Sequence, residues 1–439
     1  MDDIRGVPTS TERAANLEVF EKALRSMQCY RGDPVAILDG ALAEDPDFVL
    51  GHIARAHAHV ALWERSVVPA VEGMIGRLEE LGNRANDRER RHAGALKRWA
   101  AGDWDGYRGD LERIAAIYPR DVLAVLFGHL ADFFQGDRDS LRNRVGRVLP
   151  AWSRADPGYG FMLGMLAFGQ EECGAYGVAE ENGRRAIDLD PEDCWAQHAV
   201  AHVMEMQGRQ AEGIAFMEGR KADWAQEDNA FSFHNWWHTA LFNLDQGDAK
   251  RALEIYDAGV RPQKTEIRLM MVDAAAMLWR MHLQGIDVGN RWAELADAYG
   301  RGEEHGFYPF NDMHAMMAFV ATGRTKDAQA LLEGVEAGAR AAGSGGAMQR
   351  EVGLPIVRAI HAFGAGRHAE AVGLLLPVRY RAHVFGGSHA QRDIVHRTLI
   401  EAAIRGGDRA MARALTAERT ALKPHCPFSW KLEQRAMAA

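Results

Sequence analysis

Residues Ala186–Gln210 read AIDLDPEDCWAQHAVAHVMEMQGRQ. A helical run stops at Asp190. Pro191 follows, and proline in a first turn gives up no hydrogen bond that the helix would have made. An Ala-rich helical pattern then runs to Gln207. Gly208 ends it, because glycine takes the left-handed conformation past a helix end at little cost. A polar residue and a new helix come next. The same punctuation recurs outward in both directions, as AGDW at Gly102, QGDR at Gly136, CGAY at Gly174, QGDA at Gly247, QGID at Gly285, TGRT at Gly323, AGRH at Gly366 and GGDR at Gly407. With Gly208 included, the intervals are 34, 38, 34, 39, 38, 38, 43 and 41 residues. A second marker, a proline opening the next helix, recurs at Pro46, Pro119, Pro157 and Pro191.

Between these markers each unit holds two helices of about 12–16 residues, an ordinary length for a globular helix. No run rich in Val, Ile and Thr alternates as a strand would. The period and the AIDLDPED junction resemble the tetratricopeptide repeat, in which a hairpin that cannot bury its own apolar face stacks on its neighbours. The expected fold is an all-α solenoid of about nine tetratricopeptide-like hairpins, strongly curved, with a polar site on the concave face. Residues 1–100 are expected as irregular N-terminal helical hairpins, one over Asp33–Glu64 and one over Val68–Arg98. Residues 101–439 are expected as the continuous array carrying the site. The charged run NRANDRERR at 83–91 is expected as a solvated face, and GARAAGSGGAM at 338–348 as a loop that lengthens one repeat.

The 439 residues carry 52 basic and 61 acidic side chains, a net charge of −9. That balance argues against a nucleic-acid or membrane-surface partner, which would favour a basic patch. No apolar stretch approaches the length of a membrane span. The N-terminus lacks the basic and apolar regions of a signal peptide. The four cysteines, Cys29, Cys173, Cys194 and Cys426, form no CxxC pair, so a reducing cytoplasm is the expected location. There is no Walker A pattern, and the GxG match near residue 343 has no strand before it, so no nucleotide cofactor is expected.

The unusual polar residues fall on the helices that end at the glycine turns. FSFHNWWHTALFNLDQG, Phe231–Gly247, places His234 and His238 one helical turn apart, with Asn235 and Trp237 between them. CWAQHAVAHVMEMQG, Cys194–Gly208, places His198, His202 and Glu205 on one face. Asp273, Asp312, His314, Arg350 and Asp393 precede their own glycines by similar distances, so a curved array would aim them at one space. The candidate catalytic set is His198, His234, His238, Asp273, Asp312 and His314. Imidazoles that titrate near neutrality, oriented by carboxylates, suit acid–base work. The candidate substrate-binding set is Asn235, Trp237, Arg350, Arg381, Ser388, His389, Arg392 and Asp393. Ser388 followed by Gln391 reads as a capping box, which makes Ser388 a cap in preference to a nucleophile. Arg392 beside that helix N-terminus would suit an anion. His202 and Glu205 are the candidate metal ligands; the cofactor is left open, with a divalent ion as the candidate.

The segments HAVAHVMEMQGR, HNWWHTALFNLDQGD, FNDMHAMMAF, REVGLP, LLLPVRYR and GGSHAQRD, in that order from about Trp195 to Phe428, resemble the tetratricopeptide repeat protein 38 family. The resemblance implies a soluble all-α repeat protein and supplies no chemistry. The expected function is an enclosed small-molecule site, with a ligand that could be anionic, running hydrolase- or lyase-type acid–base chemistry with or without a metal; an oligomer is compatible with it. The alternative is a non-catalytic peptide- or protein-binding scaffold. A third reading makes the cluster a buried hydrogen-bond network that holds the repeats in register.

Overall fold

The glycine punctuation reappears as backbone geometry. The computed structural model describes residues 1–301 and 305–438. All nine turn glycines, from Gly102 to Gly407, have positive φ, between +63° at Gly136 and +99° at Gly247. Each joins two helices, as Gly208 joins Cys194–Met206 to Gln210–Gly219 and Gly407 joins His389–Arg405 to Arg409–Leu422. Among the described residues there is no β-strand beyond two isolated bridges. The chain is a tetratricopeptide-like helical solenoid. Among the described residues no helix is long and apolar enough to cross a membrane.

The chain divides into two compact units, residues 1–200 with 226–231, and residues 201–225 with those from 232 onward. The first unit begins with Ala14–Cys29, a helix that no glycine announces. Tyr30 (φ +55°) takes the left-handed position after it, and Trp63 (φ +53°) follows the helix Val49–Val60 in the same way. The NRANDRERR run is not a solvated face throughout. Asn86 and Glu89 form a capping box that starts the helix Asp87–Ala100, and Arg88 and Glu89 are fully buried. Arg88 grips Asp121 with two hydrogen bonds of 2.7 and 3.1 Å. A fork-and-carboxylate pair of this kind carries a charge into the interior.

A chain of buried polar contacts crosses the same region. His92 Nε2 donates to Asp121 Oδ2 at 2.9 Å. His92 Nδ1 and His57 Nε2 are 3.0 Å apart, and His57 Nδ1 lies 2.9 Å from the Tyr107 hydroxyl. Burial, then the neighbouring His92, hold His57 well below the usual histidine range, so that ring is neutral.

In the second unit several helices before a turn are buried over most of their length, while those after it expose a face. Thirteen of the sixteen residues of Arg268–Leu283 are buried, against five of sixteen in Thr325–Arg340. The inner helices Ser232–Gln246, Arg268–Leu283, Pro309–Ala321, Leu354–Gly364 and His389–Arg405 pack each on the next, and Arg268–Leu283 also touches His389–Arg405 directly. Trp279 Nε1 donates to Thr398 Oγ1 across that contact at 2.9 Å. The inner faces are therefore wound tightly within this unit.

The segment 338–348 is not a loop. The helix Thr325–Arg340 runs through Gly338, and a new helix starts at Gly343. Its glycines serve close approach: a Cβ at Gly338 would lie 2.3 Å from the Gly306 carbonyl oxygen, and one at Gly346 2.0 Å from that of Ala341.

Candidate functional site

Three imidazoles of the second unit meet in its interior. His202 lies on the helix Cys194–Met206, and His234 and His238 lie on Ser232–Gln246. The i, i+4 spacing puts the last two on one face. The His202 and His238 ring centres are 4.4 Å apart and those of His234 and His238 4.9 Å apart, each pair edge to face. Each ring offers a nitrogen within 4.8 Å of those of the other two. His202 and His238 are fully buried and His234 is 7% exposed. Trp237 stacks on His234 at 5.4 Å and meets His238 edge-on at 4.9 Å.

Two of the rings face carboxylates through Nδ1. His234 Nδ1 donates to Asp273 Oδ2 at 2.5 Å. His238 Nδ1 lies 3.4 Å from Glu205 Oε2. Asp273 Oδ1 accepts from Gln391 Nε2 at 3.1 Å. Gln391 is the third residue of the capping box: Ser388 Oγ accepts from its N–H at 3.2 Å, and its side-chain oxygen accepts from Ser388 N at 3.1 Å. The amide that caps the His389 helix therefore also fixes the carboxylate that fixes His234.

Around these rings the buried charge balances. Glu205, Asp245, Asp273 and Asp393 are all under 10% exposed, as are Arg280, Arg397, Arg419 and Lys423. Lys423 Nζ is 3.3 Å from Glu205 Oε1. Arg397 bridges Asp393 (2.6 Å) and Asp245 (3.0 Å), and Arg419 grips Asp393 from the other side at 2.5 and 3.1 Å. Arg280 lies over the Trp237 ring at 5.2 Å and donates to the carbonyls of Ala276 and Ala390. Burial drives Glu205 upward, but Lys423 and then the His238 contact outweigh it and hold the carboxyl at about 2. Burial, then His238 and His234, push His202 well below the histidine range. Burial also lowers His238, against the pull of Glu205. Glu205 is thus ionised and His202 and His238 are neutral at pH 7.

The structure brings together His202, Glu205, His234, Trp237, His238 and Asp273 from the candidate sets, with Asn235 fully buried on the same helix. Asp393 joins through its arginines. His389 and Arg392 are half-buried, and Arg392 donates to the Gly387 carbonyl. His198 belongs to the first unit, where its ring sits among Phe168, Trp195 and Phe231 at 5.1–5.2 Å. The remaining candidates serve elsewhere. Asp312 accepts from Gly306 N at 3.0 Å and Gln349 Nε2 at 2.6 Å. His314 Nδ1 donates to its own Phe310 carbonyl at 2.7 Å, and burial lowers it to about 4. Arg350 is exposed and donates to the carbonyls of Ala339 and Ala341 at the end of the helix Thr325–Arg340. Arg381 is exposed and pairs with Glu351. Ser388 is a helix cap, with its hydroxyl committed to Gln391.

Gln391, Asp245, Arg280, Arg397, Arg419 and Lys423 were invisible as site residues in the sequence. Only Gln391 had a signal, its place in the capping box.

No known family profile matches the chain. Among solved structures it is similar to a human IFIT1 dimer with m7Gppp-AAAA, at 13% identity over 95% of this chain and 99% of that one, with a TM-score of 0.42. It is also similar to yeast Tom70, at 13% identity over 97% and 87% with a TM-score of 0.35. A third is the P58(IPK) TPR domain, at 11% identity over 80% and 88% with a TM-score of 0.23. At these scores the likenesses say nothing of what the site binds.

Proposed function

We propose that this protein is a tetratricopeptide-like binding scaffold whose second unit holds a small polar ligand at the His202–His234–His238 cluster. The motif order from Trp195 to Phe428 supports placing it in the tetratricopeptide repeat protein 38 family. The observation that carries the binding reading is the His234–Asp273 pair. A buried carboxylate, itself held by Gln391, orients one ring nitrogen of an imidazole that keeps a small exposure, against a flat indole wall. Sites that bind small ligands combine apolar walls with a few fixed polar groups in this way.

A second reading, hydrolase- or lyase-type acid–base chemistry, draws on the same pair, because an Asp-oriented imidazole is the arrangement that proton transfer to a bound substrate needs. A peptide or protein ligand is the remaining alternative, and it would engage several helix levels instead of one cluster.

The test is a thermal-shift screen of small anionic and neutral ligands on the full chain, with His234→Asn and Asp273→Asn beside it. The binding reading expects a ligand that raises the wild-type melting temperature and leaves both variants unmoved. A ligand that shifts all three proteins alike, or peptides that bind while no small molecule does, would overturn it.

A further inference from the structure

We infer that the cluster is a divalent transition-metal centre, with His202, His234 and His238 as ligands and Asp273 and Glu205 as the carboxylates behind them. This rests on the reading of the cluster as a ligand site and names the ligand's chemistry.

The first argument is donor type and number. Three imidazoles of the second unit, carried on two helices with nitrogens within 4.8 Å of one another, are donors of the type that zinc-type sites use. Nitrogens bound at 2.0–2.1 Å in a tetrahedron lie about 3.4 Å apart, so closure asks for ring movements of about 1 Å.

The second argument is independent and concerns the outer partners. Metal-bound histidines almost always present the other ring nitrogen to a carboxylate, carbonyl or water, which fixes the tautomer and raises basicity. Two of the three rings do this: His234 to Asp273 at 2.5 Å, and His238 towards Glu205 at 3.4 Å. Because Nδ1 is the nitrogen turned to the carboxylate in these two rings, Nε2 is the nitrogen through which His234 and His238 would coordinate. Those carboxylates are themselves anchored, by Gln391 and Lys423. This is a layered arrangement of the kind that fixes metal-bound imidazoles. Glu205, taken up by Lys423, is an outer partner and not a ligand.

The donor set selects among metals. Imidazole nitrogen suits zinc, cobalt, nickel, iron and copper, and is a poor match for calcium and magnesium, which take oxygen.

The test uses the untagged full chain, stripped with a chelator and titrated with zinc in competition with a chromophoric chelator, and separately with cobalt(II). Variants are His202→Ala, His234→Ala and Asp273→Asn, each checked for a wild-type circular dichroism spectrum. The expected result is one zinc per chain, visible cobalt bands of low-symmetry nitrogen ligation, at least a hundredfold weaker binding in the alanine variants, and a 10- to 100-fold loss in Asp273→Asn, the range for removing an outer carboxylate. Asp273→Asn nearly preserves volume and keeps the test open if the alanine variants fail to fold. Zinc bound equally by wild type and Asp273→Asn, or less than one zinc per chain, overturns the inference. If no metal binds while an organic ligand still depends on His234, the metal assignment falls and the site reading stands. If neither binds, both fall.

Discussion

Replacing Lys423 by Met removes the cation that lies 3.3 Å from Glu205 in a region where both side chains are 3% exposed. The carboxylate of Glu205 then stays buried, with the neutral His238 beside it and the more weakly acting Arg280 as its cation. Breaking one partner out of a buried ion pair typically destabilises by about 3–5 kcal/mol. Lys423 is the strongest of the groups that hold Glu205 down at about 2 against its burial, so the loss falls on an ionised carboxylate. The expected cost is about 3 kcal/mol at pH 7, read as a lower urea midpoint with unchanged slope. The pH dependence has a definite sign. Glu205 is depressed in the folded state, so its contribution is complete above its unfolded value near 4.5 and disappears as pH falls through about 2. Lys423→Met should therefore lose most of the wild-type decline in that window. The double variant Glu205→Gln with Lys423→Met should recover at least half of the loss, because it leaves no lone buried charge. A single-variant cost below about 1 kcal/mol, or strictly additive variants, would refute the reasoning.

In the first unit, His92→Ala interrupts the chain from Tyr107 to Asp121: His57 Nε2 loses its partner, while Asp121 keeps Arg88. It should cost about 1–3 kcal/mol in urea unfolding, the range for one unmet buried polar group. Gly208→Ala and Gly102→Ala both force a left-handed residue, at φ +73° and +78°. A Cβ at Gly208 would also lie 2.8 Å from the His425 backbone while that at Gly102 meets open space, so Gly208→Ala should lower the melting temperature clearly more than Gly102→Ala. Arg350→Ala and Arg381→Ala, at exposed positions away from the imidazoles, should leave ligand binding unchanged. Arg381→Ala should also shift stability by no more than about 0.5 kcal/mol.

The solenoid was legible because its turns rest on a local rule: a left-handed residue ends a helix, and glycine is the cheap choice. The rule failed where Tyr30 and Trp63 took that conformation, which is why Ala14–Cys29 carried no signal. It misled at 338–348, where glycines mark close backbone contact inside helices. The imidazoles were legible because His234 and His238 share a face through local spacing. Their supports were not, because the pairs are remote in sequence: Gln391 and Asp273 are 118 residues apart, Arg397 and Asp245 152, and Lys423 and Glu205 218. No periodicity carries such a pairing. Charge alone misled as well: Arg88 and Glu89 read as surface until Asp121 and the helix cap accounted for their burial.

The most direct measurement of the central claim is His202→Leu, followed by melting temperature with and without ligand. The ring is fully buried, so leucine removes donor atoms while keeping an apolar filling. A site held for binding predicts a ligand-free melting temperature within about 1 °C of wild type, a shift of roughly 1 kcal/mol for a chain of this length, together with loss of zinc- or ligand-induced stabilisation. A fall of about 8 °C or more, in a protein whose wild type gains nothing from any ligand, would contradict the account and make the cluster a structural network.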